Sequence, residues 1–312
     1  MSQIPPQTEP RLQANWDWRA AGNFIGGGSG TGLVILAAVA SGGGAAYWPL
    51  GFAGAVLVGV GLFCVWLEIG RPWRALNVFF HPQSSWMTRE AFVSALLLPV
   101  TLLAAAASAP FLHLPAVASA AVWLAALLAA LYLYCQARIL RASKGIPAWR
   151  HVALMPVIII TGLAEGCGFI LIGIALFGGA LVWPLVLLVV LLLGRWLAWR
   201  KYLAEMTSTG APRKALDVLN DATPMINGLG HYGAAILAVL ALGLGDGMIW
   251  GPWLAALAGA AAIAAGWRLK FVVIARAAYN QGFALPLTPV RGAGEPGQGD
   301  KPGWSMPGPG AS

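Results

Sequence analysis

Eight apolar runs dominate this chain, and its basic residues are shared among the joining segments in strict alternation. The runs lie near residues 22–41, 48–67, 91–109, 115–137, 152–177, 180–197, 228–245 and 250–267. Most are about 18–25 residues long, enough to cross a hydrocarbon layer of about 30 Å as helices. Strands of a membrane barrel would alternate polar and apolar residues, and these runs do not. The expected fold is therefore all-α, a polytopic membrane protein with eight transmembrane helices. The nineteen Lys and Arg lie outside these runs or at one end of them. Arg11 and Arg19 precede the first run, and Arg71, Arg74 and Arg89 follow the second. Arg138, Arg141, Lys144 and Arg150 follow the fourth, and Arg195, Arg200, Lys201, Arg213 and Lys214 the sixth. Arg268, Lys270, Arg276, Arg291 and Lys301 follow the eighth. The first, third, fifth and seventh connections carry none. The positive-inside rule then puts both termini and every long connection in the cytoplasm, with the chain in the inner (cytoplasmic) membrane.

A composition that is 59% hydrophobic and 10% charged, with mean hydropathy +0.74, excludes a soluble globule. The net charge of +8 is read as topology. The basic residues are split among five membrane-proximal segments with no groove-like cluster, so no nucleic-acid partner is expected. Cys64, Cys135 and Cys167 fall far apart inside apolar runs, without a CxxC pair. No iron–sulfur cluster or structural zinc of the chain's own is expected, and each cysteine reads as a small buried apolar residue. The N-terminal stretch contains Pro5, Pro6 and Pro10 but no basic n-region or cleavage site, so the first span is expected to be retained. The chain divides into a cytoplasmic N-terminal segment (1–21), an eight-helix membrane domain (22–283) and a Pro/Gly-rich tail (284–312) expected to be disordered.

The connections opposite the basic side are short, whereas those on the basic side are long, the pattern of a surface on which something docks. The first run carries Gly22, Gly26 and Gly30, and also Gly28 and Gly32, all at spacing four. Small residues at that spacing let helices approach closely in lipid. They could equally leave room for a flat lipid-soluble ligand. After the second run, Gly70 and Pro72 end the helix, residues 74–80 can form an amphipathic stretch at headgroup level, and Ser85 or Thr88 can cap the next helix. Glu165 falls about thirteen residues past His151 in the fifth run, near the middle of the bilayer. An ionisable group there is a functional candidate, as a proton relay or as a carboxyl bonded to a neighbouring helix. Asp246, the other acid away from the basic side, reads as a loop residue. His151 and His231 both lie toward the basic side, so a bis-His haem b is conceivable, although satisfied interfacial histidines are commoner. The sixth connection, from Arg200 through Asn220, can hold a short amphipathic helix.

The second connection carries a family resemblance. Glu68-Ile69-Gly70-Arg71-Pro72, then Phe80-His81-Pro82, then Ser85-Trp86-Met87-Thr88 before an apolar run, resembles the signature loop of the NrfD/polysulfide reductase membrane-subunit family. The DMSO reductase anchor subunit is a more distant relative. Within the family the chain is most similar to anchor subunits of cytoplasm-facing complexes such as phenylacetyl-CoA:acceptor oxidoreductase. Trp16-Asp17-Trp18 ahead of a glycine-rich helix, the eight-span plan and Thr161-Gly162-Leu163 extend the likeness over most of residues 15–280. The resemblance implies a membrane anchor that binds quinone or quinol (menaquinone or ubiquinone) and carries no haem or cluster. It further implies electron exchange with an iron–sulfur subunit that serves a molybdopterin catalytic subunit on the cytoplasmic face. A quinone ligand of the family, a histidine, corresponds to Asn23, and a neighbouring family asparagine to Ala20. Asn23 can donate to a carbonyl but cannot shuttle a proton at neutral pH. The expected quinone-binding residues are Arg19, Asn23, Glu68, Arg71 and His81, with Glu165 as proton relay. Two other classes compete: a secondary transporter and a bis-His cytochrome b membrane subunit. No internal repeat of the kind a transporter favours is evident.

Overall fold

The computed structural model describes residues 9–69, 72–112, 114–245 and 248–282. The expectations for Arg71, Asp246 and the tail lie outside these residues. The described chain is helical, without a strand, and eight of its helices are long and apolar enough to cross a membrane. The protein is a multi-pass membrane protein. Its spans are α1 (Trp18–Ser41), α2 (Tyr47–Glu68), α3 (Trp86–Ser108) and α4 (Pro115–Ala142), then, after the short α5 (Pro147–Arg150), α6 (Leu154–Phe177) and α7 (Val182–Ser208). The seventh span joins α8 (Arg213–Asn227) through a π-helical segment (Gly228–Gly233) to α9 (Ala234–Leu244). The eighth is α10 (Trp250–Phe271), which ends in a second π segment, Val272–Arg276. The start of α1 and the end of α10 share one end of the bundle with the long connections, here called the basic end.

Three spans form the axis. α1, α6 and α10 are 72%, 72% and 67% buried over their most apolar windows, against 28–39% for the other five. α2, α3 and α4 pack on one flank of this trio, and α7 with α8–α9 on the other. The two glycine stripes of α1 explain how one helix serves several neighbours. Gly22, Gly26 and Gly30 face α2: a Cβ on Gly26 would stand 2.6 Å from the Leu57 carbonyl oxygen, and one on Gly30 2.6 Å from that of Gly54. Gly32 lies instead against Gly162 and Gly166 of α6, backbone to backbone. Gly168 of α6 meets Gly259 of α10 in the same way. The stripes are thus helix–helix contacts, and the room for a flat ligand beside them, which spacing alone allowed, is filled by neighbouring backbone.

Local chemistry sets the ends. Asp17 caps α1, accepting from the Arg19 N–H at 2.8 Å, and Ser85 caps α3 by accepting from the Thr88 N–H. Residues 72–80 form a 3₁₀ helix whose Trp73, Leu76 and Phe80 are exposed, the interfacial stretch the sequence predicted. Trp16 folds under the bundle between Trp149 and Phe24. The two termini meet at the basic end, with the Gln13 N–H donating to the Ala278 carbonyl and the Asn280 N–H to that of Arg11. The sixth connection is more regular than a surface loop. α8 buries Ala215, Leu219, Ala222 and Ile226 at helical spacing and runs directly into the seventh span.

Two basic residues correct the alternation rule. Arg195 and Lys270 read in sequence as flanking charges: Arg195 stands at the end of the run that stops at about 197, and Lys270 follows the run that stops at about 267. The helices continue to Ser208 and Arg276, and both side chains are fully buried inside the bundle.

Candidate functional site

A seam of polar groups runs through the interior around α1, α6 and α10. At its centre the Lys270 ammonium donates to Glu165 Oε2 at 2.6 Å, and both side chains are fully buried. Glu165 is the twelfth residue of the twenty-four in α6, midway along the span as the sequence predicted. Ser29 Oγ of α1 donates to the same oxygen at 2.7 Å, and Trp267 Nε1 donates to Ser29 Oγ at 2.9 Å. Three helices therefore converge on one carboxylate oxygen. The other oxygen, Oε1, is buried, lies against Gly266 and has no hydrogen-bond partner; Thr161 Oγ1, one turn earlier on α6, has none either. A carboxylate accepts at two oxygens, so this arrangement keeps one acceptor in reserve.

Toward the basic end lies a second group, from α1, α3 and α4. Tyr132 Oη donates to Asn23 Oδ1 at 3.1 Å, Gln136 Nε2 to the Asn23 carbonyl at 3.0 Å, and Asn23 Nδ2 reaches Glu90 Oε1 at 3.5 Å. Asn23, Glu90, Tyr132 and Gln136 are all buried. Tyr132 and Gln136 are four residues apart and so share a face of α4. The two groups meet at Gly28, where a Cβ would touch the Lys270 ammonium and stand 3.5 Å from Gln136 Oε1, which has no partner. Only a glycine leaves room for both heads.

A third group sits across α10, in α7 and the seventh span. Arg195 donates through Nε to His231 Nε2 (3.0 Å), through Nη1 to the Ala262 carbonyl (3.0 Å) and through Nη2 to the Gly230 carbonyl (2.7 Å). His231 Nδ1 lies 3.0 Å from Asn227 Oδ1. An amide oxygen only accepts, so Nδ1 carries the proton and Nε2 is the acceptor. The π segment matters here: its shifted hydrogen bonding releases the Gly230 carbonyl toward the arginine. Both ring nitrogens of His231 are engaged, and His151 Nε2 stands 3.2 Å from Thr209 Oγ1, across the bundle's basic end. Asn227 also lines a cavity of about 340 Å³ between α7 and α8, with Trp196, Trp199, Arg200 and Tyr232 around it.

The predicted quinone residues separate. Arg19 and Glu68 come together at the α1–α2 rim: Arg19 binds Asp17 at 2.8 Å, donates to the Leu67 carbonyl at 3.0 Å and lies within electrostatic range of Glu68. The Asp17 carboxyl, hydrogen-bonded by Arg19, is held below its ordinary value. Exposed Trp18, Trp66 and Leu67 surround this rim. A quinone head needs a donor and an apolar face, and the rim fits that need; the glycine face of α1 does not, because α2 and α6 close it. Asn23 lies one helical turn, about 5.4 Å, further in, and points to α3 and α4. His81 is exposed on the connection, away from these contacts. Glu90, Tyr132, Gln136, Lys270 and Arg195 were not singled out from sequence. Glu90 fell just before the third run and the two cations read as topology markers, yet a Tyr and a Gln on one face of an apolar span were a usable signal.

No protein-family model and no curated protein matches the chain.

Proposed function

We propose that the chain is the quinone- or quinol-reactive membrane subunit of an oxidoreductase complex in the inner membrane. In this reading it exchanges electrons with an iron–sulfur subunit that serves a molybdopterin catalytic subunit, both on the cytoplasmic face at the basic end. The observation that carries the reading is the line of buried exchangeable groups from the rim at Arg19 to the Glu165–Lys270 pair. A bound quinone takes up or releases two electrons and two protons, so its site needs fixed donors and a route for protons. Arg19, anchored by Asp17, offers a guanidinium edge to a carbonyl at the rim. Glu90, Asn23, Tyr132 and Gln136 hold exchangeable protons below it, and Glu165 with its spare oxygen ends the line at mid-span. The NrfD-like loop, Glu68 to Thr88, adds the family argument.

The test is a mild-detergent purification of the tagged chain with metal analysis of what accompanies it. Iron with molybdenum or tungsten, on two soluble partners, is expected. In that complex, Arg19→Gln and Glu90→Gln should each lower quinol-linked turnover about 10²-fold, the scale of a lost fixed donor for Arg19 and of a lost proton-transfer group for Glu90, while dye-linked activity of the partners is unchanged. Unchanged quinol turnover in both variants overturns the site. A metal-free protein that migrates alone favours a second reading, an ion-coupled transporter, to which the charges at Glu165, Lys270 and Arg195 also lend themselves.

A further inference from the structure

A second cavity at the basic end is built for an anion. Its volume is about 500 Å³, within the ~300–1,000 Å³ usual for small-ligand pockets. Arg141 and Lys144 line it from the end of α4 and the connection after it, Arg150 from α5, His151 and Val152 from the turn between α5 and α6, and Glu205 and Thr209 from the end of α7. Three permanent cations thus face one carboxylate. None of the three pairs with a carboxylate among the described residues: Arg141 Nη1 rests on Met155 Sδ at 3.6 Å, and Arg150 Nη1 donates to Gln281 Oε1 at 3.1 Å. Glu205 Oε2 lies nearer the imidazole, 3.9 Å from His151 Nδ1. Like charges outnumbering their one counter-ion repel, so the cavity carries a standing demand for negative charge.

The surroundings specify the form of the anion. α6 packs between α4 and α7, and its outward face descends from the cavity into the membrane-spanning region. Val152 at the mouth is 57% exposed, Pro156 is exposed, and Ile159, Ile160 and Leu163 are half-buried below it. Charge above a partly exposed apolar helix face, at the level where spans end, is the layout that a membrane lipid satisfies. We propose that this cavity binds the headgroup phosphates of an anionic phospholipid whose acyl chains lie along the outer face of α6. Arg141, Lys144 and Arg150 hold the phosphates. The balance of three cations against Glu205 favours a doubly charged diphosphatidyl headgroup over a singly charged one.

The test uses the purified full-length chain in detergent, with native mass spectrometry for bound lipid and thermal unfolding for its effect. The probes are diphosphatidylglycerol, phosphatidylglycerol, phosphatidylcholine and inorganic phosphate. Diphosphatidylglycerol should remain bound and raise the midpoint, phosphatidylglycerol less, and phosphatidylcholine least. Each cation removed should weaken binding about fivefold. Lys144→Gln is the informative single change, because Lys144 is exposed and its loss should leave the lipid-free midpoint where it was. Arg141→Gln/Lys144→Gln should give about 25-fold, and Arg213→Gln, on an exposed residue outside the cavity, no change. Equal stabilisation by inorganic phosphate at matched phosphate concentration overturns the lipid assignment in favour of a free anion. Equal response to diphosphatidylglycerol and phosphatidylcholine, or unaltered binding in both cavity variants, overturns the site. Loss of a copurifying protein from the variants with lipid retained makes the cavity a protein interface instead.

Discussion

Among the described residues two cations are buried in this bundle, and they are neutralised by different means. Lys270 meets a full negative charge on Glu165, 2.6 Å away. Arg195 meets no carboxylate at hydrogen-bond distance; two backbone carbonyls and a neutral imidazole receive its protons. A compact ammonium with three donors suits a point partner, whereas a planar guanidinium can spread its charge over several dipoles. Each solution has its own structural requirement. The ion pair needs glycine at Gly28 and Gly266 so that the two heads fit. The arginine needs a π segment, because a regular helix would keep the Gly230 carbonyl for itself.

The contrast sets an order of effects. Glu165→Leu strands a buried ammonium and should cost about 3–5 kcal/mol, the range for breaking one side of a buried pair. Thermal unfolding in detergent should show most of that loss recovered in Glu165→Leu/Lys270→Met, where no charge is left behind. If the double variant is as unstable as the single, the pair is held by more than mutual neutralisation. Arg195→Met removes a charge without leaving its opposite, so it should cost less, about 1–3 kcal/mol for acceptors that lose their donor. No second substitution should rescue it as Lys270→Met rescues Glu165→Leu. Should Arg195→Met prove the more damaging of the two, the carbonyl cage is the stronger support. Asn227→Leu leaves the arginine in place but removes the acceptor of the His231 Nδ1 proton. Its expected cost is about 1 kcal/mol, one hydrogen bond, and restoration by Asn227→Asp would show that an acceptor is all the position supplies.

The smallest effect lies at the basic end of the bundle. Burial, and then the charge of Arg150, hold His151 below its ordinary 6.5, with Glu205 opposing. A histidine whose folded value is depressed contributes stability that is intact above its unfolded value and is lost as pH falls through the folded one. The unfolding midpoint should therefore be level from pH 8 to about 6.5 and decline below it. His151→Gln should flatten that part of the profile. The carboxyl of Asp17, lowered from 3.8 by Arg19, acts in a separate, more acidic window. A decline unaltered in His151→Gln assigns it to another group.

The same two cations show where sequence reading stops. The spans, their direction relative to the basic segments, the Ser85 cap and the central place of Glu165 follow from hydropathy and capping, which are local properties. Whether a lysine near the end of an apolar run reaches for the headgroups or turns inward is decided by a partner 105 residues earlier in the chain. Hydropathy ended the eighth run at about Trp267, before the helix did. Lys270 thus passed as a flanking charge, and Arg195, at the very end of the sixth run, was grouped with the basic segment that follows it. The α1 glycines were legible as a close-packing signal. That one stripe serves α2 and the other α6 and α10 depended on tertiary arrangement.

The separation of Glu165 from Lys270 also has a consequence for biogenesis. α6 leaves the ribosome with its carboxyl while the lysine that will neutralise it is still 105 residues from being made. At about 5–20 residues per second, that interval is roughly 5–20 s. During it the nascent span must shelter Glu165 as the uncharged acid, beside Ser29 of the already inserted first helix or within the insertion machinery. The pair is complete only when α10 docks, so the eighth helix closes a lock whose other half has waited in the bilayer.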